Sequence, residues 1–446
     1  LLLLLVLGCA LVIPAASLSD ATSFAEDEAP AEEDEDDMFG DGEDDFFESP
    51  TSFTPQEADK AIQKGVAWLK KQQGDDGSWG AVFGNAVYGG GQAQGSQGEH
   101  PAGPTALALY TMLKCKGSLR DPVIRKGFDF LRKRHELPGG SYETSMMLLA
   151  VCATANPYKT SRATRSREQK LKLKGTYRKW AQDLHRHLLD KKSGKGWRYN
   201  VTGQPGSPHG GPRDLSSTQL AALALFAAHR LKIRAPDGVW EDILAYSMAQ
   251  QDDDGPEVVT KDPITREEIR RKARGFAYIK GLEHPEEGQA TGSMTACGIA
   301  NIMMARFVLT DGGRNREAWD ARSDAPKVQT SIEDALTWLA ENWNARTNPR
   351  KREMNVYHLY WMYAVERAMD LVGKQRIGTH LWYSEMGQHL ISTQREDGSW
   401  DSQSAHKPAG VLDTCFALLF LKKATQGQIP FPSITGGSDE PPVDNR

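Results

Sequence analysis

Three ionisable side chains stand where an apolar run begins. Glu143 precedes Thr144-Ser145-Met146, His358 precedes Leu359-Tyr360, and Asp413 precedes Thr414-Cys415. A carboxylate or an imidazole in such a place can give or take a proton beside a bound molecule. Asp413, His358 and Glu143 are therefore the candidate acid and base groups. Each also has a structural reading. Asp413 can cap its helix, Glu143 suits the positive end of a helix dipole, and His358 between two tyrosines can be a hydrogen-bonded packing residue. The aromatic set Tyr357, Tyr360, Trp361 and Tyr363 fits a hydrophobic ligand wall or, at the same helical spacing, a core. Asp252-Asp253-Asp254 offers oxygens to magnesium, but it precedes Gly255-Pro256, as a solvated turn does. No GxSxG, HExxH, P-loop or dinucleotide fingerprint occurs.

The elements that must position these residues form a repeat. One unit reads Lys64-Gly65-Val66-Ala67-Trp68-Leu69, then Gln73, then Gly77-Ser78-Trp79. A second reads Lys126-Gly127-Phe128-Asp129-Phe130-Leu131, then His135, then Gly140-Ser141-Tyr142. A third reads His389-Leu390, Gln394, Gly398-Ser399-Trp400. Weaker copies hold Tyr246 with Gln251 and Gly255, Trp338-Leu339 with Trp343, and Gly194-Lys195-Gly196-Trp197. An apolar segment follows each copy, with Thr105, Thr144, Thr218, Thr295, His358 or Thr414 at a shared position. The first helix of each pair is amphipathic: Ala61, Val66, Trp68 and Leu69 interleave with Lys60, Lys64, Lys70 and Lys71, as a helix bordering solvent requires. The second is apolar nearly all round, so neighbours must enclose it. Pairs that cannot bury their faces alone must stack. The sequence thus predicts an all-α chain of about six helix pairs, with inner and outer helices. The excess residues, Gly89 to Gly98, Lys159 to Lys174, Gly203 to Gly211 and Glu257 to Glu287, are expected to be loops.

Composition frames this unit. The 446 residues are 39% hydrophobic, which excludes a wholly disordered chain and a multi-span membrane protein. A net charge of -5 argues against a dedicated nucleic-acid binder. The charge is segregated. Asp20 and fourteen acids from Glu26 to Glu48 fall where there is no Lys or Arg, leaving 44 acids against 54 bases, a net +10, in the remainder. Leu1 to Ala16 is apolar, too short to span a bilayer, and ends in Ala15-Ala16-Ser17, as a secretory signal does. The expected organisation is a signal peptide at 1–19, an acidic disordered tether at 20–54, the helical ring at 55–425 and a disordered tail at 426–446. The expected location is secreted, periplasmic or at the cell envelope. Cys115, Cys152, Cys297 and Cys415 are widely spaced in apolar runs and read as small hydrophobes. The basic stretch from Lys159 to Lys179 could face an anionic surface, solvent or the acidic tether.

The run Lys64 to Trp79 resembles the QW repeat of the terpenoid cyclase and protein prenyltransferase superfamily, and the resemblance extends from about Pro55 to Ala424. It implies an α/α toroid with a ligand site where the inner helices begin, walled by Tyr357, Tyr360, Thr105, Thr144, Thr218, Thr295 and Thr414. It also implies a hydrophobic, isoprenoid-like ligand or lipid, with a membrane surface or a protein as a further candidate partner. Cyclases of this family use the middle Asp of D-x-D-D-T-A as their acid. Here the stretch reads Gly410-Val411-Leu412-Asp413-Thr414-Cys415, so that acid motif is absent and Leu412 occupies the donor's place. Prenyltransferases hold zinc through an Asp and a Cys two apart plus a His. Asp413, Cys415 and His358 have those types, in reversed order around the ring. The two functional expectations are an isoprenoid cyclase- or transferase-like enzyme without a cofactor, zinc being the candidate metal, and a non-catalytic toroid that binds a lipid or a protein.

Overall fold

A computed structural model describes residues 53–79, 102–155, 173–198, 213–261, 265–283, 287–311, 315–350, 357–402 and 410–423. The expected signal, nearly all of the acidic tether and the tail lie outside these residues. So do the loops at Gly89–Gly98 and Gly203–Gly211 and nearly all of Lys159–Lys174.

Six helices form an inner ring: α2 (Ala102–Lys114), α4 (Ser141–Ala153), α6 (Leu215–Arg230), α8 (Gly292–Leu309), α11 (His358–Val372) and α13 (Gly410–Leu421). Each packs on the next, and α13 returns to α2, so the ring closes. The outer layer is α1 (Pro55–Lys71), α3 (Pro122–Arg134), α5 (Gly175–Asp190), α7 (Asp237–Ala249), α10 (Ala325–Glu341) and α12 (Trp382–Thr393), with a short extra helix α9 (Arg316–Asp320). Four outer helices lie against the inner helix of the pair before them, α3 on α2, α5 on α4, α10 on α8 and α1 on α13, whereas α7 lies mainly on α8 of its own pair. This is the expected α/α toroid of six pairs.

Burial explains the two layers. In α6 every residue from Leu215 to Phe226 is buried, and Gly292 to Ala305 of α8 are likewise enclosed. α8 is long and apolar enough to cross a membrane, but 83% of it is buried inside the protein, as a core helix is. In α1 only Ala58, Ala61, Ile62, Gly65 and Leu69 are buried, and its lysines face solvent. Helix starts are set locally. Thr54 and Glu57 make a reciprocal capping box before Pro55. Asp121 caps α3 ahead of Pro122 and also pairs with Lys70 of α1 at 2.6 Å.

The repeat residues form one recurring corner. The backbone N–H of Trp79 donates to Thr105 Oγ1 at 3.0 Å, and its indole N–H donates to the Leu69 carbonyl at 2.7 Å. Trp197 does the same with Thr218 (3.1 Å) and Leu188 (2.8 Å), and Trp400 with Thr414 (3.0 Å) and Leu390 (2.8 Å). The Gln of the repeat then links two pairs. Gln73 donates to Gly77 O in its own loop and to Val123 O at the start of α3. Gln394 donates to Gly398 O at 3.0 Å and to Ala61 O of α1 at 2.9 Å, 333 residues away. Gly77 and Gly398 have φ of 97° and 94°, and a Cβ on either would lie 2.5 or 2.6 Å from the Lys126 or Lys64 carbonyl. Glycine is required there for both conformation and space.

Two expectations need correction. The Glu257–Glu287 segment, expected as loop, contains an antiparallel hairpin of β1 (Glu257–Lys261) and β2 (Glu268–Lys272), with Val259 opposite Arg270. Its β-branched Val258-Val259-Thr260 favours extended backbone. Arg271–Glu333 and Arg274–Asp334 pairs fasten it to α10. Tyr142, expected in the loop position of the tryptophans, instead sits in the first turn of α4, because that connection is too short for a separate corner.

Ring closure makes a measurable demand on Gln394. Gln394→Ala leaves two carbonyls one donor short, and equilibrium denaturation should show a loss of about 1–3 kcal/mol. The same change at exposed Gln72 should stay within about 0.5 kcal/mol.

Candidate functional site

Side chains from five inner helices meet at the end of the ring where those helices begin. Tyr142 of α4 donates its hydroxyl to Ser216 Oγ of α6 at 2.6 Å. Ser216 Oγ lies 3.3 Å from Tyr360 Oη of α11, and that hydroxyl lies 3.3 Å from Cys297 Sγ of α8. Since α8 stands between α6 and α11 in the ring order, the Ser216–Tyr360 contact spans the interior. Phe416 of α13 packs edge-on against Tyr360, with centroids 5.5 Å apart, and stacks on Tyr363 at 5.6 Å. Tyr142, Tyr360, Leu412 and Phe416 keep partial exposure, as does Glu143 beside Tyr142, whereas most of the residues around them on the inner helices are enclosed. Burial pushes the Tyr360 hydroxyl well above its ordinary range and also raises the Cys297 thiol. Both are neutral hydrogen-bonding groups.

The three candidate acid and base groups are not brought together. Asp413 is buried, and its Oδ2 accepts the Ser402 N–H at 2.8 Å. Burial outweighs that bond and pushes its carboxyl up to about 6. His358 faces the outer layer, with its ring edge-on to His389 of α12 at 5.2 Å. Both its ring nitrogens are buried without a hydrogen-bond partner. Burial, with His389 beside it, pushes it down to about 3, so it is a neutral imidazole. Glu143 is half-buried and accepts the Gly140 N–H at 3.2 Å, as a helix-start acid does.

The threonines expected to line a ligand cavity face the chain's own backbone. Thr105, Thr218, Thr295 and Thr414 are fully buried, and each hydroxyl accepts a backbone N–H, from Trp79, Trp197, Phe276 and Trp400 respectively. Thr144 donates to Gly140 O at 2.7 Å. A hydroxyl with no accessible surface and its own partner supports the wall from behind. Tyr357 is half exposed at the N-cap of α11, in a left-handed conformation (φ 59°). Only Tyr360 of the expected lining reaches the central contacts.

Asp413, Cys415 and His358 do not fit a zinc site. His358 points to α12, Asp413 holds the Ser402 backbone, and burial pushes the Cys415 thiol up to about 12. Among the described residues, no three His, Cys, Asp or Glu side chains gather for a metal. The aspartate triplet diverges too: Asp252 accepts the Gly275 N–H, Asp253 pairs with Lys280, and Asp254 pairs with Lys272.

Sequence reasoning missed Ser216, Cys297, Phe416 and Arg367. The signal for the last was present. Glu366-Arg367 interrupts the apolar run of α11, and an inner helix has no solvent face to excuse two charges.

Residues 47–149 match the model of the squalene-hopene cyclase C-terminal domain. The chain is similar to the terpenoid cyclases. No curated protein matches it. Among solved structures, the type II terpene cyclase MstE from Scytonema, in its apo form, aligns at 13% identity and a TM-score of 0.48, over 83% of this chain and 99% of that one. The α-1,6-mannanase GH76A of Salegentibacter sp. HEL1_6, an inactive variant with α-1,6-mannotetrose, aligns at 10% identity and 0.48, over 82% and 98%. An unsaturated glucuronyl hydrolase specific for heparin aligns at 12% and 0.49, over 83% and 98%. The toroid described above rests on this chain's own helix contacts.

The His358 environment gives a pH dependence with a definite sign. A histidine depressed on folding stabilises the fold fully above its unfolded value near 6.5, and that stability is lost as pH falls toward 3. His358→Leu should therefore flatten the decline of stability between pH 6.5 and 3, read from melting curves across that range. An acid limb as steep as in the unsubstituted protein would assign the protons elsewhere.

Proposed function

We propose that this toroid holds a hydrophobic, isoprenoid-like small molecule at the end of the ring where the inner helices begin. One observation carries the reading. Tyr142, Tyr360, Leu412 and Phe416, near the starts of the inner helices, keep accessible surface while most residues around them on those helices are enclosed. Partly buried side chains with accessible surface are what a recess requires, and aromatic and aliphatic walls suit a hydrocarbon ligand. The likeness of residues 47–149 to a squalene-hopene cyclase domain supports that ligand class.

The preferred reading is retention without proton-initiated cyclisation. Leu412 stands where the family's donor would, and Asp413 is engaged with the Ser402 backbone. A second reading keeps catalysis, favoured by the burial of Asp413. With its carboxyl near 6, a fraction stays protonated close to neutrality and can act as an acid. The leucine-rich start and the acidic tract after it support export to the envelope or outside the cell, and the net positive remainder supports an anionic membrane surface or an acidic protein as partner.

Mass spectrometry of small molecules extracted from the purified protein tests the first reading, which expects a polyisoprenoid or triterpenoid. Protein that carries none and binds none removes it. Asp413→Asn separates the two readings. Retention without catalysis expects an unchanged ligand content and no turnover in either protein, whereas catalysis expects turnover that falls at least about 100-fold with the ligand still held.

A further inference from the structure

Arg367 lies in the middle of α11 with no accessible surface, and its Nε, Nη1 and Nη2 atoms have no hydrogen-bond partner. No ion pair reaches it among the described residues. Its guanidinium carbon sits 3.9 Å above the Tyr363 ring and 5.9 Å from the Tyr360 ring. Those aromatic faces engage the cation, and the polar groups that stand nearest its five N–H groups, the Tyr363 hydroxyl and the Cys297 thiol, are both neutral. The acids nearest in sequence, Glu366 and Asp370, act on Lys114 and Lys423 toward the other end of the ring.

Direction follows from helix geometry. Tyr360, Tyr363 and Arg367 lie on one face of α11, and long helical side chains lean toward the helix N-terminus. The guanidinium therefore reaches back beneath Tyr360, beside Cys297, on the side where Tyr142, Ser216, Leu412 and Phe416 meet. A cation enclosed in this way, faced only by neutral groups, lacks an anion. A planar fork of five donors matches a carboxylate or a phosphate.

We propose that Arg367 is the recognition group for an acidic head, a carboxylate or a phosphate monoester, on the ligand held at the starts of the inner helices. The head passes Tyr360 to meet the guanidinium, and Leu412 and Phe416 line the path of the hydrocarbon tail. The tail rests on the reading of the ring as a hydrophobic receptacle; the anion site rests on Arg367 alone.

The probes are farnesoic acid, farnesyl monophosphate, farnesol and inorganic phosphate, assayed by thermal shift and calorimetry on the full chain, on Arg367→Met and on Arg367→Lys. The acid and the monophosphate should bind about 10- to 100-fold tighter than farnesol. Arg367→Met should lose that preference while still binding farnesol, and Arg367→Lys should keep part of it. Without ligand, Arg367→Met should melt no lower than the parent, because it replaces an unpaired buried charge with a side chain of similar length. A marked fall in its melting temperature would assign Arg367 a structural role and overturn the proposal. Equal affinity for acid and alcohol would overturn the acidic head and leave the receptacle standing. Protection by inorganic phosphate alone, lost in Arg367→Met, would support the anion site and remove the hydrophobic tail. Binding of none of the four would remove both.

Discussion

A carboxamide with two carbonyls to satisfy decides how one helix pair meets the next. Gln73 and Gln394 each close their own loop and reach the following outer helix. Gln251 repeats the move toward Ser331 of α10. The tryptophan beside this link fills the space left by a glycine in that outer helix. A Cβ on Gly127 would lie 2.8 Å from the Trp79 ring, and one on Gly65 2.9 Å from Trp400. Hydrogen bonds set the register and the indole fills the joint. The angle between pairs is thereby fixed, and six such angles return the chain to its start.

This corner is why so much of the fold was legible in the sequence. Gly, Gln, Trp and Thr recur because each has one physical task in it, and the inner helices announce themselves by lacking a polar face. The limits are equally physical. Gly194-Lys195-Gly196-Trp197 reads as a degenerate copy, yet Trp197 makes both bonds of the better ones. An indole N–H and a backbone N–H are enough for the corner, and the surrounding consensus is dispensable. Tyr142 reads as a tryptophan substitute but turns inward, since a shorter connection starts α4 before a loop can form.

The site was less legible for a related reason. The shared threonines attract attention through their recurrence, but recurrence marks the scaffold. The groups that distinguish this ring occur once each. Ser216, Cys297, Tyr360 and Arg367 come from three different inner helices and meet only through closure. Their separation in the sequence, from 216 to 367, hides a contact set that spans a few ångströms. The ionisable groups follow the same logic. Burial neutralises His358 and raises Asp413, while Lys114, held down to about 7 chiefly by burial, shares the far end of the ring with Glu366 and Asp370.

The bond from Gln394 to Ala61 also sets a timetable. The groove on α1 that receives Trp400 stays open until the ribosome has added more than three hundred further residues. At about 5–20 residues per second, that wait is roughly 17 to 67 seconds. Throughout it, the part of the first helix around Gly65 that meets Trp400 and Leu418 has no permanent neighbour, and a holdase or a translocation channel has time to claim it. Closure at the last repeat makes this a protein whose first helix is among the last to find its place.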